Sequence, residues 1–189
     1  LYNMKEKKKN NKNWNLLNRK KVYDGSPFIK VFKDKVELPD GKIVENYHRI
    51  EISDAVMLIV ENKRQEIMIY NEYRHGIGEE SYTFPAGAIE EDESPINAAK
   101  RELLEETGYK SNDCIEIKSF VVSGSYMFSN LHYIQMQNVK RVSQPLSKDI
   151  ENPSLKWLNY EQVCNAIEDN KFRGLTYATA ALLWILLKK

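Results

Sequence analysis

Cysteine is scarce in this chain: Cys114 and Cys164 are the two in 189 residues. Neither sits at metal-ligand spacing, so both are expected to be reduced, packed thiols in a cytoplasmic protein. Net charge is scarce too. There are 28 lysines and arginines against 27 aspartates and glutamates, leaving +1 at pH 7. No global field then draws the chain to nucleic acid or a membrane surface, and neither is expected as a partner. Long apolar runs are also missing. The most apolar stretch, Ala178 to Leu187, is too short to span a bilayer and reads as a buried C-terminal helix. The first residues do not read as a secretory leader. No internal repeat or long linker appears.

What is present fits a globular protein. A hydrophobic fraction of 42% over 189 residues suits one domain, or one domain with a small appendage. Residues 1–19 open with a lysine- and asparagine-rich run and are assigned to a flexible, solvated tail. Residues 20–47 form an N-terminal β region: short alternating runs and the turn Pro39-Asp40-Gly41 predict antiparallel hairpins. Residues 48–189 form the main domain. There Ala55 to Val60 is an unbroken apolar run and Glu66 to Tyr70 is its expected partner, both reading as strands buried on two faces. Further strands are expected at Tyr82 to Phe84, Cys114 to Val122, Leu131 to Gln137 and Leu155 to Leu158. Helices are expected from Asn159 to about Asp169 and from Thr176 onward. The order of strands, helix, strands and two helices predicts an α/β (α+β) class with a mixed sheet sandwiched between helices.

One helix carries chemistry. Ser94-Pro95 reads as an N-cap followed by proline at the first helical position, and Gly108 as the C′ stop. At about 100° per residue, Ile96, Ala99 and Leu103 share the core face. Glu102, Glu105 and Glu106 project from an adjacent strip, with Ala98 inside that strip leaving space. Like charges three and four apart mildly destabilise a bare helix. Convergent carboxylates therefore ask for a reason, and a hard divalent cation such as Mg2+ supplies one. The alternative is a solvated acidic face with ordinary Arg–Glu pairs, for which Arg101 and Glu105 are suitably spaced.

Residues Gly87 to Tyr109, GAIEEDESPINAAKRELLEETGY, resemble the Nudix box, G-x5-E-x7-R-E-U-x-E-E-x-G-U with U aliphatic. Every fixed position matches, and Tyr109 relaxes the last aliphatic place. The resemblance implies the Nudix fold and Mg2+-dependent phosphoanhydride hydrolysis, with Mn2+ as a substitute. By the same resemblance Glu102 and Glu106 are the main metal ligands, Glu105 assists, and Ala86 offers its backbone carbonyl. Arg101 orients a box carboxylate, and Glu93 supports. Two or three metals would neutralise the substrate's pyrophosphate and activate a water for in-line attack on phosphorus.

The flanks resemble the ADP-ribose pyrophosphatase and nucleoside diphosphate sugar hydrolase subgroup. The carriers are the hairpin region from Val22 to Gly41, Asn71-Glu72-Tyr73-Arg74, Phe84-Pro85-Ala86-Gly87 and Leu182-Leu183-Trp184. This implies that Arg74 contacts the pyrophosphate, as its planar fork suits phosphate oxygens. Two places depart from the subgroup. Thr83 stands where a glutamate is usual, and Tyr126 to Leu131 keeps only Ser129-Asn130 of the usual P-G-x-S-[DN]-E. Tyr126 and Phe128 either stack on a base or pack in the core. Glu151 is the candidate general base, with Asp149 second and Glu105 as an alternative. His48, His75 and His132 are expected to be structural. The subgroup's N-terminal hairpins build a homodimer, in which Trp14 and Phe28 are candidates for stacking on adenine. The reading is hydrolysis of ADP-ribose to AMP and ribose 5-phosphate. The alternatives are another nucleoside diphosphate sugar, such as GDP-mannose, or a Nudix module that senses a nucleotide without cleaving it.

Overall fold

The protein is described by a computed structural model covering residues 13–146 and 154–188. The chain divides into two compact units. Unit one holds the described residues up to Ser53 together with Ser123–Phe128, and unit two holds Asp54–Val122 and the described residues from Ser129 onward.

Unit one is an antiparallel meander of β1 (Asn15–Gly25), β2 (Ile29–Glu37) and β3 (Ile43–Glu51). The first strand begins at Asn15, inside the segment given to the tail. The second turn forms at Pro39-Asp40-Gly41, as its residues predict. Gly41 takes φ +86°, its N–H donates to the Leu38 carbonyl at 2.9 Å, and the Lys42 N–H donates to Asp40 Oδ1 at 3.0 Å. Across the β1–β2 pair, Arg19 grips Asp34 with two hydrogen bonds of 2.8 and 2.7 Å. Met127 and Phe128 run parallel to Ile50 and Glu51 within the same unit.

The remaining elements are β4 (Ala55–Val60), β5 (Ile67–Arg74), β6 (Glu79–Thr83), β7 (Ala86–Ala88), α1 (Pro95–Thr107), β8 (Tyr109–Lys110), β9 (Asp113–Ser123), β10 (Met127–Gln137), β11 (Lys140–Arg141), β12 (Ser154–Leu158), α2 (Tyr160–Glu168) and α3 (Leu175–Leu186). In unit two, β10 runs parallel to β4, while β7 pairs antiparallel on the other edge of β4 and β9 pairs with β10. A second sheet has the order β12-β5-β6, all antiparallel. The expected pairing of the Glu66 to Tyr70 run with Ala55 to Val60 is therefore corrected. The two strands lie in different sheets, joined by one bridge, Glu61 to Ile67.

Alternation along β4 explains the sandwich. Val56, Leu58 and Val60 join Met68, Ile134 and Met136 under α1, contributing to a cluster with Ala98, Ala99 and Leu103. Met57 and Ile59 point the other way, into a cluster with Ile67, Ile69, Phe84 and the α2–α3 residues Val163, Ala166, Ala180, Ala181 and Trp184. Both faces of β4 are thus covered, as its unbroken apolar run predicts. Each such fully buried aliphatic side chain contributes about 1.5–3 kcal/mol. The mixed sheet between helices is the architecture expected. Asn159 caps α2 in a reciprocal capping box with Gln162.

Two expectations need correction. Ala98 is fully buried in the cluster beneath α1 and leaves no open space. Its small size lets the helix sit close to β4 and β7. The C-terminal helix is buried only along Ala180, Ala181 and Trp184, while Leu182, Leu186 and Leu187 are exposed. It is tied down at Glu61, a buried carboxylate that accepts hydrogen bonds from Trp184 Nε1 at 2.7 Å and Lys188 Nζ at 2.8 Å. Among the described residues, no helix is long and apolar enough to cross a membrane.

Candidate active site

The site grows from the start of β7 and the face of α1 that meets it. Ser94 caps α1, its Oγ accepting from the Asn97 N–H at 3.3 Å, and Pro95 follows at the first turn. Gly108 ends the helix at φ +72°, and a Cβ there would lie 2.2 Å from the Ser143 carbonyl oxygen. Only glycine satisfies both conditions. Between these caps, Glu102 reaches back to β7. A Cβ on Gly87 would lie 2.0 Å from both the carboxyl carbon and Oε1 of Glu102. The carboxyl group thus fills the space of a missing side chain, next in sequence to Ala86.

Arg101 organises the acids around it. Its Nε and Nη2 donate to the two oxygens of Glu93 at 3.1 and 2.9 Å, a forked pair. Nη2 also donates to the Ala88 carbonyl at 2.9 Å, which ties α1 to β7. Nη1 donates to Glu102 Oε1 at 2.6 Å and to Glu105 Oε2 at 3.3 Å. The expected Arg101–Glu105 pair is present, but Glu93 is held more completely. Glu93 also accepts from the Glu90 N–H at 3.2 Å. The guanidinium of Arg101 holds the Glu93 carboxyl below its ordinary range. Glu102 moves the other way: burial pushes its carboxyl up, against the pull of Arg101. The Glu93 and Glu102 carboxylates in turn hold Arg101 firmly in its charged form. The Glu102 side chain is 13% exposed and that of Glu105 46%.

β5 lines a neighbouring wall. Tyr70, Glu72 and Arg74 share one face of the strand, and the Tyr70 hydroxyl donates to the Glu106 carbonyl of α1 at 3.4 Å. Arg74 donates to Glu72 at 3.3 Å, and its guanidinium carbon lies 5.9 Å from the centre of the Tyr177 ring. Thr83 of β6 donates to the same Glu72 oxygen at 2.6 Å. The residues left of the shortened Ser129-Asn130 motif are also anchored. Asp54 accepts from the Asn130 backbone N–H at 2.7 Å and from its side-chain amide at 3.0 Å. Glu72 and Asp54 were given no role from sequence, because Thr83 and Asn130, which engage them, lie on other strands.

Unit two therefore brings Glu93, Glu102 and Glu105 together around Arg101, with the Glu102 carboxyl beside Gly87, next in sequence to Ala86, and Glu106 one turn further along α1. Arg74, on β5, belongs to the same unit. Trp14, Phe28, Tyr126 and Phe128 belong to unit one and are all exposed. Trp14 meets Tyr47 edge-on with ring centres 5.4 Å apart, and Arg49 lies 4.4 Å over the Phe128 ring. Of the two alternatives for Tyr126 and Phe128, packing in the core is excluded by their exposure of 61% and 52%. Glu151 and Asp149 lie outside the described residues. His132 pairs with Glu116 at 2.8 Å on β10 and β9.

Comparison with known proteins decides the family. Residues 52–179 match the NUDIX domain model. The chain belongs to the Nudix family. As a Nudix protein it is a pyrophosphohydrolase, of an enzyme class that acts on small-molecule nucleotide substrates and generally uses divalent metal ions. Residues 14–50 match a second model, the nucleoside diphosphate sugar hydrolase N-terminal domain. The CMP-5'-(N-acetyl-N-hydroxy-3-aminopropyl)phosphonate hydrolase of Streptomyces rubellomurinus is 26% identical over 85% of this chain and 76% of its own length. The ADP compounds hydrolase NudE of Escherichia coli is 30% identical over 69% of each chain. Two further relatives are matched over 56% and 60% of their own lengths. A crystal structure of an ADP compounds hydrolase superposes with a TM-score of 0.79, at 24% identity, over 93% of this chain and 95% of the other, and shows the same fold.

The residues of this Nudix site fit a divalent cation in kind. Glu102, Glu105, Glu106 and the Ala86 carbonyl are hard oxygen donors of the type Mg2+ takes, and the glycine cradle keeps the Glu102 carboxyl beside the β7 backbone. Among the described residues, no three carboxylate, histidine or cysteine side chains already converge on one point. Glu102 and Glu105 are both turned to Arg101 Nη1.

Proposed function

We propose that the protein hydrolyses the pyrophosphate bond of ADP-ribose to AMP and ribose 5-phosphate in the presence of Mg2+, with Mn2+ as a substitute. The observation that carries this reading is the seating of the Glu102 carboxyl in the space over Gly87, locked there by Arg101. It sets an acidic helix face against the backbone that follows Ala86. Two likenesses narrow the substrate. The N-terminal segment matches a domain of nucleoside diphosphate sugar hydrolases, and one relative is named for ADP compounds. An ADP-sugar satisfies both.

In this reading Glu102 and Glu106 hold the metal, with Glu105 and the Ala86 carbonyl assisting. When bound, such a cation offsets the pyrophosphate charge and makes water a better nucleophile. Arg101 is a positioning residue that keeps Glu102 and Glu93 in place. Arg74 binds pyrophosphate oxygens through its planar fork. Glu151 takes the proton of the attacking water, with Glu105 as the alternative. The N-terminal strands pair with a second copy of the chain, and the exposed rings of Trp14, Phe28, Tyr126 and Phe128 offer faces to the adenine. Light scattering at working concentration tests the homodimer, and a monomer contradicts it. A panel of ADP-ribose, GDP-mannose, UDP-glucose and dinucleoside polyphosphates, run with Mg2+ and with Mn2+, tests the substrate. The highest kcat/KM is expected for ADP-ribose, and a clear preference for GDP-mannose contradicts the assignment.

A further inference from the structure

We propose that Glu72, a buried acid in the middle of β5, is the positioning residue that aims Arg74 at the pyrophosphate. The inference rests on the reading that Arg74 is the pyrophosphate contact. An acid inside an apolar strand is costly unless paired, and Glu72 is only 9% exposed. Its Oε1 accepts two hydrogen bonds, from Thr83 Oγ1 at 2.6 Å and from Arg74 Nη1 at 3.3 Å. The strand register explains the first. Glu72 lies opposite Ser81 on β6, and Thr83 lies two residues further along the same face. Thr83 is itself buried, with 1% exposure, so its hydroxyl fixes the direction of the carboxylate.

The carboxylate in turn fixes Arg74. One edge of the guanidinium is held by Glu72, and the Tyr177 ring lies beside it. The Arg74 side chain remains 37% exposed beside this carboxylate. The face is the right one. Tyr70, Glu72 and Arg74 follow one another along it, and Tyr70 touches the α1 backbone at Glu106. The glutamate that the resembling subgroup carries at the place of Thr83 is absent, yet a carboxylate reaches that spot from across the sheet. Thr83 and Glu72 thus read as one device rather than as an isolated departure.

A mutant cycle tests this. Glu72→Gln keeps the shape and removes the charge, and Thr83→Val keeps the shape and removes the hydroxyl. Each is made alone and in an Arg74→Ala background, and kcat, KM and melting temperature are measured with ADP-ribose and Mg2+. With Arg74 present, Glu72→Gln is expected to raise KM about tenfold with kcat within about twofold, the mark of lost substrate binding. Thr83→Val is expected to raise KM about threefold, and it carries the test if Glu72→Gln fails to fold. In the Arg74→Ala background neither change has a further effect on KM. Equal losses in both backgrounds overturn the proposal, as does a lower melting temperature with KM unchanged, since either shows a role independent of Arg74. An Arg74→Ala protein with unchanged kcat/KM defeats the reading of Arg74 itself, and the proposal falls with it.

Discussion

Replacing Gly87 by alanine separates the site from the scaffold. The Gly87 backbone is in an ordinary conformation, so alanine meets no φ penalty there. The new methyl would instead sit 2.0 Å from the carboxyl carbon and Oε1 of Glu102 and 2.5 Å from Oε2. Carbon atoms pack at about 3.5 Å, so the carboxyl must retreat by roughly 1.5 Å. It is the end of a flexible side chain, and it can swing away. The loss is then the 2.6 Å charge-assisted hydrogen bond to Arg101, which keeps its forked hold on Glu93. That costs about 1–2 kcal/mol, partly offset by about 0.5 kcal/mol from the less flexible unfolded chain. For a protein of this size the melting temperature falls by about 2–4 °C. Catalysis is more sensitive, because a displacement of about 1 Å costs on the order of a hundredfold in rate. The assay is kcat on ADP-ribose beside a thermal melt. A Gly87→Ala protein that is folded and fully active would refute the reasoning, since the seat of Glu102 over β7 would then have no part in turnover.

Other outcomes follow from the same geometry. Glu106→Gln should abolish most turnover, by about a hundredfold or more, while a module that only senses nucleotide would lose mainly metal-assisted affinity; kinetics and calorimetry on one preparation distinguish them. Arg101→Lys should lower both kcat and stability, the latter by about 2 kcal/mol, because an ammonium cannot fork to Glu93 while reaching Glu102; denaturant titration reads the second effect. Acid should weaken unit one through Asp34, whose carboxyl is held below its usual range by Arg19, against burial. A depressed folded-state value means the stabilisation is present above the ordinary carboxylate pKa of about 4 and is lost as pH falls through the depressed one. Asp34→Asn should flatten that acid limb in urea titrations followed against pH.

Local signals made much of this architecture readable. Ser94, Pro95 and Gly108 marked the box helix because capping chemistry is written in neighbouring residues, and Pro39-Asp40-Gly41 marked the turn before β3 for the same reason. Burial of β4 on both faces was readable from its unbroken apolar run. Its partner was not, since Ala55 to Val60 and Ile67 to Tyr70 look alike and only the distant β10 and β12 show which sheet each joins. Ala98 lies by angle on the carboxylate strip, and nothing in a methyl group says that β4 and β7 approach that side. Glu105 could be placed near Arg101 by its four-residue spacing, but the fuller hold of Arg101 on Glu93 could not be read from spacing. Glu72 could be quoted as part of the Asn71 to Arg74 stretch but given no role, because Thr83, which fixes it, lies on the neighbouring strand and the pair exists only once β5 and β6 are aligned.

The central claim is metal-dependent cleavage of an ADP-sugar at its pyrophosphate. It is tested most directly by following AMP and ribose 5-phosphate release from ADP-ribose in Mg2+, with and without excess EDTA. The expected result is equimolar release of both products in Mg2+ and none after chelation. Full turnover in EDTA, or no cleavage of ADP-ribose with the metal present, would contradict it.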